Sequence, residues 1–512
     1  MTSLPHAILA SALLLAAGAP ARAAEAPATL SVTLKVMTFN IWYGGEQVSF
    51  PKVVEAIQRS GADIVGVQEP DAFLDKLAEA TGLTYTDHRR NIISRYPLFD
   101  SGVGERTDTA PSSYGTTALD ADALFDWVMV SPGKVIAMAN THLTSDPYGP
   151  DFAKAGATPA QLMAMETKLR VPDAKPFAAL AGVAAKGVPV FLTGDFNSPS
   201  NLDWTPPTIA LHHRPYPFDW PAMGLLRAAG LRDSYREIHP DPVATPGFTW
   251  TAGQPNPYVR PEETPDRIDF ILTAGPTTTL TSQLLGEAGG PDVDIAVSPW
   301  PSDHRSVVST FRVVPANAPA MIAVEPARVV AGSTFMVRAY LPGPETFSAL
   351  VVPRGADADR AITGVADETR GYRTGVRLAS DGLAPGPYDA ILVAPDHRIA
   401  ARTRFAVVAR DARPRIAVET SGVATGGTVR VRWSGAPGNR FDWIGIYKAG
   451  DPSVIANLIN YHTDARLDGE AAIPLVDGDG KPLPPGRYDA RLLRDDSFVV
   501  LATSAPFSVG DR

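Results

Sequence analysis

Cysteine is absent from all 512 residues of the sequence. Disulfides, zinc–thiolate sites, iron–sulfur clusters and thiol nucleophiles are therefore excluded, and any metal must be bound by oxygen or by imidazole. Net positive charge is also absent, because the formal charge is −9 and acidic residues outnumber basic ones in residues 24–315. This acidity disfavours a nucleic-acid footprint, which needs a basic face, and it suits a site that binds divalent cations.

Long apolar runs are missing as well. Residues 7–17 are apolar, but this run is too short to span about 30 Å of hydrocarbon. It is followed by the small-residue step Ala21-Arg22-Ala23. We predict a secretory signal peptide over residues 1–23 and an exported protein of bacterial origin, periplasmic or extracellular, with no transmembrane segment. The lack of cysteine suits the periplasm.

The composition is that of a foldable globular protein, with 45% hydrophobic and 20% charged residues. Glycine (43) and proline (48) are both frequent but follow no period, which excludes collagen and favours a body rich in loops and strands. A chain of this length exceeds a single hydrophobic core, so two or three domains are expected.

Residues 24–314 alternate between short apolar strands and helical patterns, which predicts an α/β domain with a central sheet and covering helices. The strand candidates are 34–39, 63–67, 135–139, 188–192, 267–272 and 306–313, and the helix candidates include 51–59 and 72–80.

A linker at 315–319 separates this domain from a β-rich region that contains an internal repeat. The sequence Ile-Ala-Val-Glu at 322–325 recurs at 416–419, and a Tyr-Asp-Ala motif at 388–390 recurs at 488–490. Each unit has the size and strand pattern of a β-sandwich. We therefore predict two all-β sandwich domains, over 315–410 and 411–512, and neither carries a cluster of titratable residues that predicts a site.

Polar residues lie at the edges of the strands predicted in the front domain. They are Asn40, Glu69, His142, Asp195, Asn197, Asp269, Asp303 and His304. Each one alone is more simply read as a turn former, a surface residue or a hydrogen-bonded pair. Together, however, their chemical types fit the hydrolysis of a phosphoester, which needs a cation, a base and donors to the phosphoryl oxygens.

Oxygen ligands such as those of Glu69 and Asn40 suit the hard cation Mg²⁺, with Mn²⁺ or Ca²⁺ as alternatives. Imidazole titrates near neutral pH, so His304 is a suitable type of base for the attacking water, and a neighbouring carboxylate would fix its tautomer. Neutral donors such as Asn197, together with His142, can bind the non-bridging phosphoryl oxygens.

Six motifs, taken together and in this order, resemble those of the endonuclease/exonuclease/phosphatase superfamily, which includes deoxyribonuclease I, neutral sphingomyelinases and inositol polyphosphate 5-phosphatases. They are Met37-Thr38-Phe39-Asn40, Val67-Gln68-Glu69, Asn140-Thr141-His142, Gly194-Asp195-Phe196-Asn197, Asp266-Arg267-Ile268-Asp269 and Ser302-Asp303-His304, and they cover about 36–312. The resemblance implies a four-layer α/β sandwich with two β-sheets packed face to face.

The resemblance also implies a role for each residue. Glu69 is the main metal ligand, with Asn40 beside it and Asp303 as an adjacent acid of the metal site. Asp195 lies near the attacking water, and His304 is the general base. Asp269 orients a histidine. The scissile phosphate is bound by Asn197 and faced by His142.

The substrate is less well defined by the sequence. Asp71 stands two residues after Glu69, where deoxyribonuclease I has an arginine for the DNA minor groove, and this lowers duplex DNA among the candidates. We interpret the basic residues Arg89, Arg90 and Arg95 as a solvated turn rather than a phosphate-binding surface. The aromatic loop 211–220, which contains His212 and His213, either lines a substrate mouth or packs on the domain.

In the second repeat, Asp442-Trp443-Ile444-Gly445 is similar to a strand of the SKICH-type sandwich. The simpler interpretation is that Trp433 and Trp443 fill a sandwich core.

The sequence thus predicts an exported, divalent-metal-dependent phosphoesterase that cleaves phosphodiesters or phosphomonoesters by in-line attack of a histidine-activated water. Its substrate would be a small molecule, a lipid head group or extracellular nucleic acid, with peripheral membrane contact allowed and no protein partner implied. The alternatives are a secreted endonuclease like deoxyribonuclease I and a non-catalytic protein that binds phosphate ligands.

Overall fold

The computed structural model describes residues 31–70, 73–88, 90–101, 124–211, 214–251, 265–343, 346–368, 372–373, 375–437, 442–454, 456–463, 466–477, 481–494 and 498–510. The predicted signal peptide, Asp71, Arg89, His212 and His213 lie outside these residues. In the part of the chain that is described, every helix falls short of the length and apolarity needed to cross a membrane.

Two seven-stranded sheets form the centre of the front part of the chain. Their strands are β1 (Val32–Asn40), β2 (Ile64–Gln68), β3 (Tyr85–Asp87), β4 (Ile92–Ser94), β5 (Leu98–Asp100), β6 (Asp126–Ser131), β7 (Lys134–His142), β8 (Val190–Asp195), β9 (Arg232–Asp233), β10 (Asp269–Ala274), β11 (Thr277–Gly286), β12 (Val293–Ala296), β13 (Ser306–Val313) and β14 (Ala316–Asn317). The first sheet has the order β12-β11-β13-β1-β2-β4-β3. The second has the order β5-β6-β7-β8-β10-β9, with β14 paired to β7.

Helices accompany both sheets. They are α1 (Phe50–Ser60), α2 (Leu74–Thr81), α3 (Gly149–Lys154), α4 (Pro159–Ala174), α5 (Leu180–Ala184), α6 (Pro206–Leu211), α7 (Pro221–Ala228) and α8 (Ser234–Ile238), with short 3-10 helices at Tyr43–Gly45, Lys175–Ala179 and Ala358–Arg360. Proline in the first turn and Gly61 in a left-handed conformation at the end fix the limits of α1. Thr158 caps α4 through a capping box with Gln161.

Apolar clusters stabilise this front part, and three of them involve its sheets. Residues of α1 and α2, such as Val53 and Leu77, pack against Phe39 of the first sheet. A second cluster joins α5 and α7 to the second sheet. A third cluster contains side chains of both sheets, including the ring pair Phe191–Phe311, whose centroids lie 4.9 Å apart. The predicted α/β class is confirmed, because strands of two sheets alternate with helices that bury an apolar face.

A buried amide connects the two sheets. Asn140 of β7 donates from Nδ2 to the carbonyl oxygens of Val67 (2.9 Å) and Arg90 (2.8 Å). Its Oδ1 accepts from Gln68 Nε2 at 2.7 Å and from Thr193 Oγ1 at 2.8 Å. All four hydrogen-bonding positions of this amide are therefore used, so Asn140 fixes the register of β2 against β7 and β8.

Gly66 in β2 leaves the room that this amide needs. A Cβ atom at Gly66 would stand 2.0 Å from Thr193 Oγ1 and 2.4 Å from Asn140 Oδ1. We expect Gly66→Ala to lower the free energy of unfolding by about 2–3 kcal/mol, because overpacking forces the buried hydrogen bonds apart. Urea denaturation of the full chain measures this change.

Gly182→Ala is the matched control for that substitution. Gly182 lies exposed in α5, and a Cβ atom there would meet no atom within 4 Å. Alanine favours a helix over glycine, so this variant is expected to be as stable as the wild type or slightly more stable. Equal stability of the two alanine variants would contradict the proposed role of Gly66.

The remainder of the described chain is almost entirely β-structure, which confirms the large all-β region predicted after residue 314. Its strands are β15 (Met321–Glu325), β16 (Arg328–Val330), β17 (Thr334–Tyr340), β18 (Phe347–Pro353), β19 (Thr363–Glu368), β20 (Val376–Ala379), β21 (Gly386–Val393), β22 (Ile399–Val408), β23 (Arg415–Val418), β24 (Gly422–Val423), β25 (Thr428–Ser434), β26 (Trp443–Lys448), β27 (Ile459–His462), β28 (Gly469–Pro474), β29 (Gly486–Leu493), β30 (Val500–Thr503) and β31 (Phe507–Val509).

The sequence repeat corresponds to a repeated strand arrangement. The first repeat has the sheets β15-β17-β20 and β16-β22-β21-β18-β19, and the second has β23-β25-β28 and β24-β31-β29-β26-β27, with β30 paired to β29. In each repeat a tyrosine hydroxyl donates to the carbonyl oxygen four residues earlier, at Tyr388 and Tyr488. The aspartates that follow, Asp389 and Asp489, each accept from the N–H of a glycine. The recurring Tyr-Asp-Ala motif is therefore structural.

The two tryptophans of the second repeat have different environments. Trp433 belongs to the apolar core between its sheets, as predicted. Trp443 does not: it lies in a separate cluster with Tyr447 and Leu493, against which Phe498 packs. The interpretation that both tryptophans fill the core is therefore wrong for Trp443. Successive residues of a strand face opposite sides of a sheet, so Trp443 and Tyr447 share one face of β26, whereas Ile444 on the other face belongs to the core.

Candidate active site

Strand register brings five of the predicted site residues to one end of the two sheets. In the first sheet β1 runs parallel to β2, with Asn40 opposite Gln68, so Glu69 follows directly beside Asn40. In the second sheet His142 at the end of β7 lies opposite Asp195 at the end of β8. Asp195 in turn lies opposite Asp269 at the start of the antiparallel β10.

Glu69 is fixed by backbone and side-chain donors. Its Oε1 accepts from Asn40 Nδ2 at 3.0 Å, and its Oε2 accepts from the N–H of Tyr43 at 3.0 Å. The carbonyl oxygen of Glu69 accepts from the N–H of Gly44 at 2.7 Å. Glu69 has φ +56°, a left-handed conformation that persists only where surrounding contacts hold it.

Asp195 is the central carboxylate of the cluster. Its Oδ2 accepts from Asn40 Nδ2 at 3.1 Å and lies 3.4 Å from His142 Nε2 and 3.5 Å from His304 Nε2. Its Oδ1 accepts from the N–H of Asn197 at 2.9 Å. Burial raises the pKa of Asp195, but the charges of His304 and His142 outweigh burial and lower this pKa to about 2. Asp195 is therefore ionised at neutral pH.

His304 is buried and paired through both ring nitrogens. Its Nδ1 lies 2.9 Å from Asp269 Oδ2, which is hydrogen-bond distance, and its Nε2 faces Asp195. Burial lowers the pKa of His304, but the charges of Asp269, Asp195 and Asp303 outweigh it and raise the pKa well above its ordinary value. The ring of Trp250 covers the imidazole at a centroid distance of 4.8 Å.

Ser302 fixes the backbone around His304. The Ser302 hydroxyl accepts from the N–H of His304 at 3.0 Å and donates to the carbonyl oxygen of Asn40 at 2.7 Å. Thr249 fixes Asp269 in a similar way, because its hydroxyl accepts from the N–H of Asp269 at 3.1 Å. These contacts connect the first sheet to the His304–Asp269 pair.

His142 is partly exposed, and Asn197 is buried near it. The His142 side chain is 19% exposed, against 1% for Asp195. Asn197 donates from Nδ2 to the carbonyl oxygen of Leu143 at 3.0 Å, which connects it to the residue after His142. A carboxamide carries two N–H groups, so this hydrogen bond leaves Asn197 the chemical capacity to donate to an anion as well.

The remaining predicted residue, Asp303, belongs to the same cluster. Burial raises the pKa of Asp303 to about 7; the charge of His304 opposes this shift, and the negative charges of Glu69 and Asp195 add to it. All eight predicted residues are therefore brought together at one end of the sheets. Clustered acids of this kind repel one another, and a divalent cation would relieve that repulsion.

The donor set fits a hard divalent cation. Ligand atoms of Asp195, Asp269 and His304 lie within 4.8 Å of one another, a spacing at which three groups can share a metal, but both ring nitrogens of His304 already face carboxylates. Asp269 Oδ1 is buried without a hydrogen-bond partner among the described residues. Glu69, Asn40 and Asp303 add oxygen atoms beside this group, and carboxylate and carboxamide oxygens are the ligands that Mg²⁺ and Mn²⁺ accept.

Two surface interpretations are resolved by the described residues. Arg90 is not part of a solvated turn: it is buried and pairs with Asp87 (2.6 Å), Asp100 (3.0 Å) and Asp126 (3.2 Å). The interpretation of Arg90 as a solvated residue is wrong because its guanidinium forms buried ion pairs with three acids, from β3, β5 and β6. Arg95 is 58% exposed and pairs with Asp63, as expected for a solvated residue.

The aromatic loop predicted at 211–220 packs on the domain where it is described. Phe218 and Trp220 are buried with Trp204 in one apolar cluster. Arg214 donates to Asp266 Oδ1 at 2.6 Å and is buried with it. The packed alternative is therefore the correct one for residues 214–220.

Sequence reasoning did not single out Trp250, Thr249 or Tyr43, although each contacts a predicted site residue. Trp250 and Thr249 precede a stretch rich in proline and glycine without strand periodicity, so no pattern marked them. The Trp-Tyr-Gly-Gly sequence at 42–45 offered one signal, since paired glycines after a strand indicate a tight, positive-φ loop.

Comparisons with known proteins identify relatives of the front part of the chain. Residues 37–304 match the sequence model of the Endonuclease/Exonuclease/phosphatase family. An uncharacterized protein of Caenorhabditis elegans is 31% identical over 299 residues, which is 55% of this chain and 92% of that protein.

Among solved structures, an endonuclease/exonuclease/phosphatase from Beutenbergia cavernae is 19% identical, with a TM-score of 0.35, over 73% of this chain and 99% of that chain. A mannosyl-6-phosphatase from Bacteroides thetaiotaomicron is 18% identical, with a TM-score of 0.32, over 54% of this chain and 99% of that chain.

Proposed function

Because the chain belongs to the endonuclease/exonuclease/phosphatase family, whose members hydrolyse phosphoester bonds, we propose that it is an exported, divalent-metal-dependent phosphoesterase. The observation that most supports this proposal is the position of Asp195 Oδ2. This atom lies within 3.5 Å of Asn40 Nδ2 and of the Nε2 atoms of His142 and His304. Such a group of one ionised acid and two imidazoles suits the activation of water beside a phosphate.

His304 is the proposed general base. Asp269 accepts the Nδ1 hydrogen and thereby leaves Nε2 as the atom that takes a proton from the attacking water, while Asp195 holds that water by accepting its other hydrogen. The same carboxylates that orient His304 also raise its pKa and favour the imidazolium. A cation bound near Glu69 and Asp303 would add positive charge that counteracts the effect of these carboxylates on His304. It would lower the pKa of His304 and favour the neutral imidazole that a base requires.

The cation site is proposed to consist of Glu69, Asn40 and Asp303, with Mg²⁺ as the preferred ion and Mn²⁺ or Ca²⁺ as alternatives. When bound, the cation supplies positive charge that neutralises the phosphoryl oxygens and the leaving group. Asn197 and His142, both beside Asp195, donate to the non-bridging oxygens and hold the phosphorus in line with the water.

We favour phosphodiesters or phosphomonoesters of small molecules or lipid head groups over duplex DNA. Arg90, one of three arginines near the site in sequence, is buried against Asp87, Asp100 and Asp126, so it cannot contact a phosphate backbone. The formal charge of −9 also opposes a polyanionic substrate.

The remaining predictions about the chain are part of the same proposal. Residues 1–23 would be the signal peptide, 24–314 the catalytic domain, and 315–410 and 411–512 two β-sandwich domains that serve as binding or spacing modules. The catalytic domain would be a four-layer sandwich, which is supported by the apolar cluster shared by both sheets and by the clusters that join helices to each sheet.

A substrate panel tests the function. The full coding sequence is expressed in a bacterium, and the protein is recovered from the periplasm and medium. It is assayed with bis-p-nitrophenyl phosphate, p-nitrophenyl phosphate, phospholipid vesicles and plasmid DNA, each with millimolar Mg²⁺ and again with EDTA. We expect hydrolysis of the small esters or phospholipids that EDTA abolishes.

Each of the other outcomes of this panel would contradict part of the proposal or support an alternative function. EDTA-resistant hydrolysis at the same rate would contradict the cation site. Faster cleavage of plasmid DNA than of every other substrate would select the secreted endonuclease. No hydrolysis of any ester with Mg²⁺ or Mn²⁺ would select the non-catalytic binding protein, and recovery only from the cytoplasm would contradict export.

A further inference from the structure

An aromatic contact connects the second β-sandwich to the loop beside Glu69. The ring of Phe498, which lies between β29 and β30 in the sequence, packs edge-on against Tyr43 with a centroid distance of 6.1 Å. On its other side Phe498 packs edge-on against Trp443 of β26 at 6.0 Å. Trp443 is buried, whereas Tyr43 and Phe498 are half-buried. The buried ring of Trp443 thus supports Phe498, which contacts Tyr43 in the loop of residues 42–45.

The supported loop is held in an unfavourable backbone conformation. Trp42 and Tyr43 have φ values of +57° and +43°, and Gly44 and Gly45 also have positive φ. Residues other than glycine adopt this region only where surrounding contacts compensate for the steric cost. Contacts outside the loop must therefore help to maintain it, and Phe498 is one of them.

This loop is also what orients Glu69. The N–H of Tyr43 donates to Glu69 Oε2, and the N–H of Gly44 donates to the Glu69 carbonyl oxygen. A rotation of the loop would withdraw both donors at once. The position of the Glu69 carboxylate therefore depends on the conformation that Phe498 supports from the second sandwich.

A charge of the second repeat also acts on a helix near this loop. The pKa of Asp75 in α2, the helix that follows Glu69, is lowered by its hydrogen bond to His88, and the charge of Arg494 adds to that shift. Arg494 directly follows β29, in the segment that also contains Phe498. The charge of Arg494 thus acts on α2, whereas the direct contact of the second sandwich is the one between Phe498 and Tyr43.

The first sandwich makes a different contact. Tyr340 of β17 lies against Gly133, in the turn before β7, and Met321 packs with Phe99 and Val135. Val135 is near the start of β7, and His142 is at its end, so this contact lies about 20 Å from the site along the strand. Only the contact of the second sandwich reaches the loop that holds Glu69, among the described residues.

We propose that the second β-sandwich is a positioning element of the active site: Phe498, supported by Trp443, holds the Tyr43 loop and through it sets the orientation in which Glu69 binds the cation. Phe498 is a positioning residue and touches neither substrate nor metal. The inference rests on the proposed function, in which Glu69 is a metal ligand. It gives the terminal repeat a role in metal affinity in addition to binding or spacing.

Calorimetric titration of the full chain with Mn²⁺ tests this role directly, without substrate. Phe498→Ala is expected to weaken Mn²⁺ binding by about threefold to tenfold, the range that corresponds to the loss of an aromatic pair. Tyr43→Ala should weaken it by a similar factor. The double variant should be no weaker than the weaker single variant, because both substitutions remove the same contact. Turnover at saturating metal should change less than twofold.

Two further variants separate positioning from general stability. Phe498→Tyr keeps the ring and is expected to restore Mn²⁺ affinity to within about twofold of the wild type. Tyr340→Ala removes a ring from the contact of the first sandwich and should leave Mn²⁺ affinity unchanged. Thermal unfolding of every variant, measured without metal, establishes that each one is folded at the titration temperature.

Equal Mn²⁺ affinity in Phe498→Ala and the wild type would overturn the inference while leaving the proposed function in place. A loss of affinity in Tyr340→Ala as large as that in Phe498→Ala would also overturn it, because the effect would then follow from loosened domains in general. A wild-type chain that binds no Mn²⁺ and hydrolyses no phosphoester would overturn the proposed function, and the inference with it.

Discussion

His304→Asn is expected to hydrolyse the preferred ester at least ~10³-fold more slowly than the wild type at saturating Mg²⁺, with the fold intact. A positioned base contributes roughly 10² to 10⁴ in rate, and this base is also the residue that Asp269 orients. Asparagine is the informative substitution because its Nδ2 can still donate to the buried Asp269. The variant therefore loses the titratable nitrogen without leaving a buried carboxylate unpaired.

His397→Asn is the matched control for this loss. His397 lies exposed in the turn between β21 and β22 of the first sandwich, with φ +66°, a conformation that asparagine tolerates well. Steady-state kinetics on both variants, together with their unfolding curves, provide the measurement. Turnover of His304→Asn within tenfold of the His397→Asn value would refute the assignment of His304 as the base.

Much of this site could be predicted from the sequence because strand ends carry it. Asn40 ends β1 and Glu69 directly follows β2, and these neighbouring parallel strands end at the same edge of a sheet. His142 and Asp195 end another parallel pair in register. A polar residue directly after a buried apolar strand is visible in the sequence, and the parallel pairing then brings such residues together without any further information.

The sequence could not reveal contacts that depend on long-range packing. Arg90 is polar and precedes a turn, so it resembles a solvated residue until three acids from separate strands surround it. In the sequence, Gly66 is simply a glycine that lowers the strand propensity of its segment. In the structure, its lack of a side chain makes room for Asn140 from the other sheet. The burial of Arg90 and the close approach of Asn140 to Gly66 both depend on how the two sheets pack against each other, and the local periodicity of the sequence does not specify this packing.

Trp443 illustrates the same limit in the second sandwich. Its strand alternates apolar residues on both faces, so the sequence cannot tell the core face from the outer face. Only the pairing of β26 with β29 and the position of Phe498 show that Trp443 packs outside the core. A residue that resembled core filling thus becomes the support of an interdomain contact.

Glu69→Gln is expected to abolish detectable Mn²⁺ binding at millimolar concentrations of metal and to lower turnover with Mg²⁺ by at least ~10³-fold. Glutamine keeps the size of the side chain, and its one oxygen can still accept from the N–H of Tyr43, so the loop of residues 42–45 should persist. What is lost is one negative charge among Glu69, Asp303 and Asp195, together with the oxygen that accepts from Asn40 Nδ2. A cation held by few ligands loses several kcal/mol when one carboxylate is neutralised, and a factor of 10³ corresponds to about 4 kcal/mol.

Removal of the Glu69 charge should also lower the pKa of Asp303. The negative charge of Glu69 contributes to the raised pKa of Asp303, so without it Asp303 ionises more readily and the site retains some affinity for metal at high concentration. Partial recovery of turnover as Mg²⁺ is raised is therefore the expected signature of a damaged metal site, as distinct from a damaged fold. Glu79→Gln, an equal change on the exposed face of α2, should leave both metal binding and turnover unchanged. Full activity in Glu69→Gln at low Mg²⁺ would exclude Glu69 from the metal site.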